Sequence, residues 1–356
     1  MPDSADWKTN ASLAEIAEFL RGKRRIVVTT HVKPDGDAVG SSLALVRALN
    51  LPGAWGPWVP ANRAEAWYFG PMPPWLRDIA GDTPYRVLDS GGMPEVDGLD
   101  AVVVVDTGSW LQLEALREWI TARHEMVSLI DHHVQGNAAV APRRHIDTSA
   151  AAACQPVAEL CRLLLGKGSL AELPGPVAEM LYLGLATDTG WFRHSNVNHR
   201  VMETAGELLD AKADNVRLYQ VVEQRESVSR LKLLSRALAS LELFDHDRIA
   251  VMTLTREDFH GAHAQPGESG GFVDFGQAIS GVLVTALLTE AEPGEFGGRG
   301  PVTKVSLRSK VGVDVNAVAK VLGGGGHVQA AGARPSLAMD AAKREVVRLV
   351  SIALKG

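Results

Sequence analysis

Ala101-Val102-Val103-Val104-Val105-Asp106-Thr107-Gly108-Ser109 is a run of five apolar residues that stops at a carboxylate and a small-residue turn. A continuous apolar run of this length suits a strand covered on both faces, the environment found inside a parallel sheet. Two further runs have the same character, Ile26-Val27-Val28-Thr29-Thr30 and Met126-Val127-Ser128-Leu129-Ile130. Helical periodicity lies between them. Residues 11–20 place Leu13, Ile16, Phe19 and Leu20 on one face, and a second helix is predicted over residues 38–49. Strands alternating with helices specify a doubly wound α/β sheet. Residues 51–92 are rich in Trp, Pro and Gly, and Trp55, Trp58, Trp67 and Trp75 follow no strand-like spacing, so they read as packing residues.

The chain has 356 residues, more than one core usually covers, so two domains are expected. A polar-amphipathic helical pattern over residues 215–243 reads as a connector. Strand character returns at 249–254. Residues 282–288 and 303–308 form a predicted hairpin, joined by a Gly- and Pro-rich loop over 290–301 whose glycines imply mobility. Asp314 can cap a helix that runs through Leu322 and stops at a glycine run. The expected organisation is a doubly wound parallel-sheet domain over 1–214, a helical connector over 215–245, and a smaller mixed α/β domain over 246–356.

Composition narrows the function. A net charge of −6 argues against a strongly basic duplex-binding surface. It leaves room for phosphorylated substrates, because bound cations can supply local positive charge. Cys154 and Cys161, about 10 Å apart along a helix, lie beyond disulfide reach and read as buried thiols. The sequence shows no signal core and no apolar run near the roughly 18 residues that a membrane span requires. A cytoplasmic protein is expected.

Chemistry-bearing residues sit at four ends of elements. Thr30-His31-Val32-Lys33-Pro34-Asp35-Gly36-Asp37-Ala38 joins a strand to a helix, where ligands bind in open α/β sheets. Asp35 there is equally suited to capping the helix. Asp106 ends the second strand. Asp131-His132-His133 ends the third, and a carboxylate beside two imidazoles can divide labour between metal ligation, substrate contact and ring orientation. Asp188 follows an apolar helix in Thr187-Asp188-Thr189-Gly190-Trp191-Phe192-Arg193, with Arg193 near enough to face the same cleft. His31, Asp35, Asp37, Asp106, His132 and Asp188 together form a mixed O/N donor set, which suits Mn²⁺ or a similar divalent ion better than a thiolate-rich zinc site. Two such ions would neutralise phosphoryl oxygens during in-line attack.

In order and spacing these four segments resemble the motifs of the DHH phosphoesterase superfamily. Val321-Leu322-Gly323-Gly324-Gly325-Gly326-His327-Val328-Gln329-Ala330-Ala331-Gly332 resembles the glycine-rich signature of the DHH-associated C-terminal domain. The similarity runs over nearly the whole chain, and its length and layout look most like the bacterial nano-RNase branch. Members of that branch are oligoribonucleases and 3′-phosphoadenosine 5′-phosphate phosphatases, and some relatives hydrolyse cyclic dinucleotides.

The resemblance implies two divalent ions, His31 and Asp35 on one, Asp37, His132 and Asp188 on the other, and Asp106 on both. It makes His133 the contact to the scissile phosphate and Asp131 the support of the histidine pair. Lys304-Val305-Ser306-Leu307-Arg308-Ser309 resembles the family's substrate strand. Alternation puts Arg308 opposite Val305 and Leu307 and leaves it to clamp a terminal phosphate. Gly324, Gly325 and Gly326 would admit a phosphate or nucleotide close to the backbone beside His327. The partners implied are short single-stranded RNA, dinucleotides and phosphorylated adenosine nucleotides, with a homodimer as the candidate assembly. The alternatives are a cyclic or linear dinucleotide phosphodiesterase of the c-di-AMP type and a catalytically inactive nucleotide sensor. Ala150-Ala151-Ala152-Ala153-Cys154-Gln155-Pro156 is blander than the family's usual helix start after the third motif.

Overall fold

A computed structural model describes residues 6–51, 63–89, 93–291, 301–310 and 312–355. In chain order the helices and strands are α1 (Leu13–Arg21), β1 (Ile26–Thr29), α2 (Gly36–Leu49), β2 (Ala64–Phe69), α3 (Leu76–Ala80), β3 (Tyr85–Leu88), β4 (Ala101–Val105), α4 (Arg117–Thr121), β5 (Val127–Asp131), β6 (Arg143–Ile146), α5 (Cys154–Leu164), α6 (Gly175–Asp188), α7 (His199–Asp210), α8 (Asn215–Glu223), α9 (Val228–Ala239), β7 (Glu242–Phe244), β8 (Ile249–Leu254), α10 (Arg256–Ala262), β9 (Val284–Glu290), β10 (Thr303–Ser309), α11 (Val315–Val321), β11 (Gly325–His327), β12 (Ala330–Ala333) and α12 (Met339–Ala353). They fall into two compact units, Met1–Arg225 and Glu226–Gly356.

The first unit is built on a six-stranded sheet of order β3-β2-β1-β4-β5-β6, parallel at every pairing. Successive side chains of its central strands point to opposite faces. Ile26, Val28, Ala101, Val103, Val105 and Ile130 join a core with α1, α2, α5 and α6. Val27, Val102, Val104, Val127 and Leu129 join Leu113, Leu116, Trp119 and Ile120 on the other face. Burial on both sides is what an unbroken run of Val and Ile requires, and it is the doubly wound α/β class read from the sequence. Strand order reverses between β1 and β4. That reversal opens a crevice outside the strands' carboxyl ends.

Three strands of this sheet were not legible in the sequence, among them the half-exposed edge strand β3, Tyr85-Arg86-Val87-Leu88. β2 hides in the Trp-rich stretch as Ala64-Glu65-Ala66-Trp67-Tyr68-Phe69, and all six residues are buried. β6, Arg143-Arg144-His145-Ile146, carries an edge strand's polar composition. Trp67 and Trp75 pack as expected. Trp55 and Trp58 lie outside the described residues, as does most of the loop over 290–301.

The second unit holds a mixed sheet of order β11-β12-β10-β9-β8-β7. β9 and β10 pair antiparallel, with Val305 opposite Leu288 and Leu307 opposite Ala286. The connector is not the single helix expected over 215–243. It breaks between α8 and α9, because the Ser227 hydroxyl accepts from the Arg230 backbone N–H and starts a new helix; the strand β7 then begins at Glu242. Asp314 caps α11 by accepting from the backbone N–H groups of Asn316 and Ala317. Cys154 and Cys161 are free and buried. Among the described residues no helix is long and apolar enough to cross a membrane.

Helices α2 and α6 approach unusually closely because glycines line their contact. A β-carbon on Gly40 would lie 2.5 Å from the Met180 carbonyl oxygen, and one on Gly184 would lie 2.7 Å from Asp37 Oδ1. Gly184→Ala should therefore destabilise the protein by roughly 1–3 kcal/mol, or about 2–4 °C in Tm per kcal/mol for a unit of this size. Gly206→Ala on α7, where a β-carbon meets nothing within 4 Å, should be neutral or slightly stabilising. Thermal melts of the two variants check this. Equal Tm values would count against the close-packing argument.

Candidate active site

Six candidate ligands converge at the crevice. His31 follows β1, Asp35 and Asp37 open α2, Asp106 follows β4, His132 follows β5, and Asp188 ends α6. Their donor atoms form overlapping clusters within 4.8 Å, His31 with Asp35 and Asp106, and Asp37 with His132 and Asp188. Asp106 and His132 also cluster with His133.

Asp106 stands between the first two clusters. Its Oδ2 lies 3.4 Å from His31 Nε2, and its Oδ1 lies 3.4 Å from His132 Nε2. Its backbone takes a left-handed conformation at φ 63°, tolerable for Asp, while its N–H donates to the Ile130 carbonyl at 2.9 Å. His132 Nε2 also lies 3.7 Å from Asp188 Oδ2, and His31 Nε2 lies 3.8 Å from Asp35 Oδ1.

Both imidazoles are aimed from behind. His31 Nδ1 lies 2.9 Å from the Val32 carbonyl, and His132 Nδ1 lies 3.4 Å from the Ala150 carbonyl. Each carbonyl favours the Nδ1–H tautomer and leaves Nε2 to face the carboxylates.

Asp37 is buried, and its position depends on backbone. Oδ2 accepts from the Ala153 N–H at 2.5 Å, and Oδ1 accepts from the Cys154 N–H at 2.9 Å and the Ser41 hydroxyl at 3.1 Å. The bland segment 150–156 thus acts through its main chain, whose small side chains permit the approach. Sequence reading missed this role because donors on the main chain have no residue signature. The alanine run preceding a helix was the available signal. Asp35 combines both of its readings. Oδ1 caps α2 by accepting from the Asp37 and Ala38 N–H groups, yet it remains beside His31.

Asp131 is fully buried, and its Oδ1 accepts from the His132 N–H, the His133 N–H and His133 Nδ1 at 2.8, 3.2 and 2.7 Å. His133 faces Asp106 through this same Nδ1, at 3.9 Å. Since Asp131 already holds that atom, His133 is better placed to present Nε2 outward than to join the ligands. Its side chain is 53% exposed, against 12% for His31 and 15% for His132.

Electrostatics show what the cluster lacks. Burial, reinforced by the charges of Asp106 and Asp188, pushes the Asp37 carboxyl well above its usual range. Burial likewise raises Asp188 to about 6, with His132 opposing the rise. Burial disfavours the His31 imidazolium, but the carboxylates of Asp106 and Asp35 beside it outweigh that and raise the pKa to about 10. His132 is raised to about 9 by Asp106, Asp37 and Asp188, again against burial. Asp106 Oδ1 is buried without a hydrogen-bond partner.

Two donors about 2.1 Å from one ion stand roughly 3.0–3.5 Å apart at tetrahedral or octahedral angles. The 3.4 Å approaches that satisfy no hydrogen-bond geometry fit that spacing. A crowd of carboxylates, an orphaned buried oxygen and imidazole nitrogens facing inward suit a pair of divalent cations.

The other candidates are placed differently. Arg193 is exposed, and its Nε donates to the Gly190 carbonyl at 2.8 Å. In the second unit Arg308 sits opposite Val305 and Leu307, as alternation requires. It is not unengaged, because its Nε lies 3.1 Å from Asp274 Oδ1. Gly324 and Gly326 are needed by the β11–β12 hairpin itself. Their β-carbons would lie 2.0 Å from the Gly332 oxygen and 2.5 Å from the Ala330 oxygen. Gly325 has only Asn316 Oδ1 near, at 3.8 Å. It lines a cleft of about 380 Å³ with Lys304, Ser306, Gly324 and Arg334. His327 is exposed on β11.

Comparison with known proteins matches residues 25–185 to the DHH family N-terminal domain and residues 246–351 to the DHHA1 domain. The bifunctional oligoribonuclease and PAP phosphatase NrnA of Thermus thermophilus is 32% identical over 98% of this chain and 95% of its own. The chain belongs to the DHH family. The protein of the same name from Bacillus subtilis is 26% identical over 86% of this chain and 88% of its own. An exopolyphosphatase-related protein from Bacteroides fragilis superposes with a TM-score of 0.73 at 23% identity, covering 96% of this chain and 95% of that one, and shares its fold.

The DHH triplet thus ends β5 of this family member, with its histidines facing different ways. In metal-free protein, stabilisation by the His31 proton is fully present below the unfolded value near 6.5 and is lost as pH rises through about 10. With saturating Mn²⁺ the trend should reverse, because the metal needs the neutral imidazole and competes better as pH rises. Melts from pH 6.5 to 9.5, with and without metal, check the two slopes. Parallel slopes would contradict ligation by these histidines.

Proposed function

We propose that this DHH protein is a metal-dependent phosphoesterase that degrades short RNA oligomers to mononucleotides and removes the 3′-phosphate of 3′-phosphoadenosine 5′-phosphate. The observation that carries the reading is the split carboxylate of Asp106, one oxygen toward His31 and the other toward His132. Near full-length similarity to a relative bearing both activities in its name supports the substrate class.

His31 and Asp35 would hold one ion, Asp37, His132 and Asp188 the other, and Asp106 both. The donor set has oxygen and nitrogen only, which favours Mn²⁺. Cys154 adjoins Asp37, but burial and the neighbouring carboxylates push its thiol well up and keep it neutral. Bound divalent ions act as Lewis acids that neutralise phosphoryl oxygens during in-line attack.

The remaining work falls to the chain's own groups. Asp131 holds His133 through Nδ1 and raises its pKa, which favours the charged form and leaves Nε2–H to donate to a non-bridging phosphate oxygen. In the second unit, the cleft beside Gly325 is small enough for one nucleotide portion and carries Lys304 and Arg334 for phosphate. Arg308 would reach a terminal phosphate by exchanging its exposed pairing with Asp274, since a surface ion pair is worth only about 0–1 kcal/mol.

Purified protein with Mn²⁺ should release mononucleotides from di- to pentaribonucleotides and phosphate from 3′-phosphoadenosine 5′-phosphate. Asp106→Ala should lose at least about a hundredfold in kcat, the cost of removing a group central to transition-state charge stabilisation. Preference for cyclic di-AMP across the same panel would overturn the substrate assignment, and undiminished turnover by Asp106→Ala would overturn the metal mechanism.

A further inference from the structure

The stretch before α1 reaches the catalytic loops from far away in sequence. Trp7 is 9% exposed and packs in the core on the sheet face opposite α2 and α6. Its indole Nε1–H donates to the backbone carbonyl of His133 at 3.0 Å, across 126 residues. Its ring also occupies the space that two glycines leave. A β-carbon on Gly108 would lie 1.9 Å from ring carbon Cη2, and one on Gly136 would lie 2.4 Å from Cζ2.

Gly108 belongs to the loop that follows Asp106, and Gly136 to the loop that follows His133. The two loops are joined by the Asn137 N–H, which donates to the Gly108 carbonyl at 2.8 Å. Trp7 therefore sits where the Asp106 and His133 loops meet.

The strap that delivers Trp7 is fixed in register along β6. Asn10 N–H donates to the Arg144 carbonyl at 2.9 Å, and Asn10 Oδ1 accepts from the Arg144 N–H at 2.7 Å. Thr9 Oγ1 accepts from the Ile146 N–H at 2.8 Å and donates to the Ile146 carbonyl at 2.9 Å.

We propose that Trp7 is a positioning residue for the reaction, setting the His133 main chain against the Asp106 loop so that His133 Nε2 stands where a substrate phosphate can meet it. Asp131 holds His133 by its amide and by Nδ1, and Trp7 holds the remaining backbone polar group. With both ends of the residue fixed, the imidazole has little freedom to swing away. The inference rests on the reading of His133 as the phosphate contact.

A double-mutant cycle tests it, because residues acting through one another are non-additive. Trp7→Phe removes the N–H donor together with the outer part of the indole that fills the space beside Gly108 and Gly136. It should lower kcat about fivefold, the scale of one net hydrogen bond, with KM and the Mn²⁺ concentration for half-maximal activity unchanged. In a His133→Ala background the same substitution should change nothing further. The same fivefold loss in both backgrounds, or no loss from Trp7→Phe in a protein that melts as wild type, would overturn the proposal. Running the cycle on a diribonucleotide and on bis(p-nitrophenyl) phosphate keeps the two questions apart. Failure to release mononucleotide counts against the oligoribonuclease reading, while the simple diester still decides on Trp7.

Discussion

Negative charge gathered in one buried place is the constraint to which the rest of the first unit answers. Asp37, Asp106 and Asp131 are each less than 5% exposed, and Asp188 and Asp35 lie at the margin. Two like charges about 4 Å apart repel by about 4 kcal/mol at an effective dielectric near 20, and burial adds its own penalty. Each carboxylate has a different answer. Asp131 satisfies one oxygen with three donors. Asp37 draws on the first backbone amides of α5. Asp106 faces imidazoles at 3.4 Å or more and its buried Oδ1 has no hydrogen-bond partner, so its charge is left for a cation to answer.

Packing keeps this arrangement from relaxing. The glycine contacts of α2 and α6 bring Asp37 and Asp188 toward one another, and no side chain stands between Gly184 and Asp37. The parallel sheet presents Asp106 and His132 from neighbouring strands, with Val105 of β4 paired to Ile130 of β5. Helix and sheet thus hold the donors apart from solvent and from each other, at distances too long for good hydrogen bonds. A preorganised site of this kind spends folding stability on chemistry.

In the second unit glycine serves two ends at once. Gly323 takes a positive φ of 77° after α11, and Gly324 and Gly326 let β11 lie against β12 without a β-carbon between them. Gly323 and Gly325 have open space where a β-carbon would stand. The run therefore owes more to the hairpin than its resemblance to a nucleotide-binding signature suggests, and any ligand at this cleft meets a backbone already committed to the sheet.

Much was legible in the sequence. Unbroken apolar runs at 101–105 and 126–130 specify a sheet buried on both faces, and a carboxylate or histidine at each strand end follows from reading one residue further. The candidate ligands His31, Asp35, Asp37, Asp106, His132 and Asp188 could be named because metal chemistry needs particular side chains. Hydrophobic period could not reveal β2, whose aromatic residues look like loop packing, or β6, whose edge position tolerates arginine and histidine. Nor could it reveal the break at Ser227, since a cap acts through one local bond within a continuing helical pattern. The sequence by itself determined the class of fold and the inventory of donors, because both depend on side-chain type and local period. Tertiary structure alone decided that alanine amides hold Asp37, that Asp274 holds Arg308 and that Trp7 reaches His133, because those contacts depend on backbone groups and distances that no local pattern encodes.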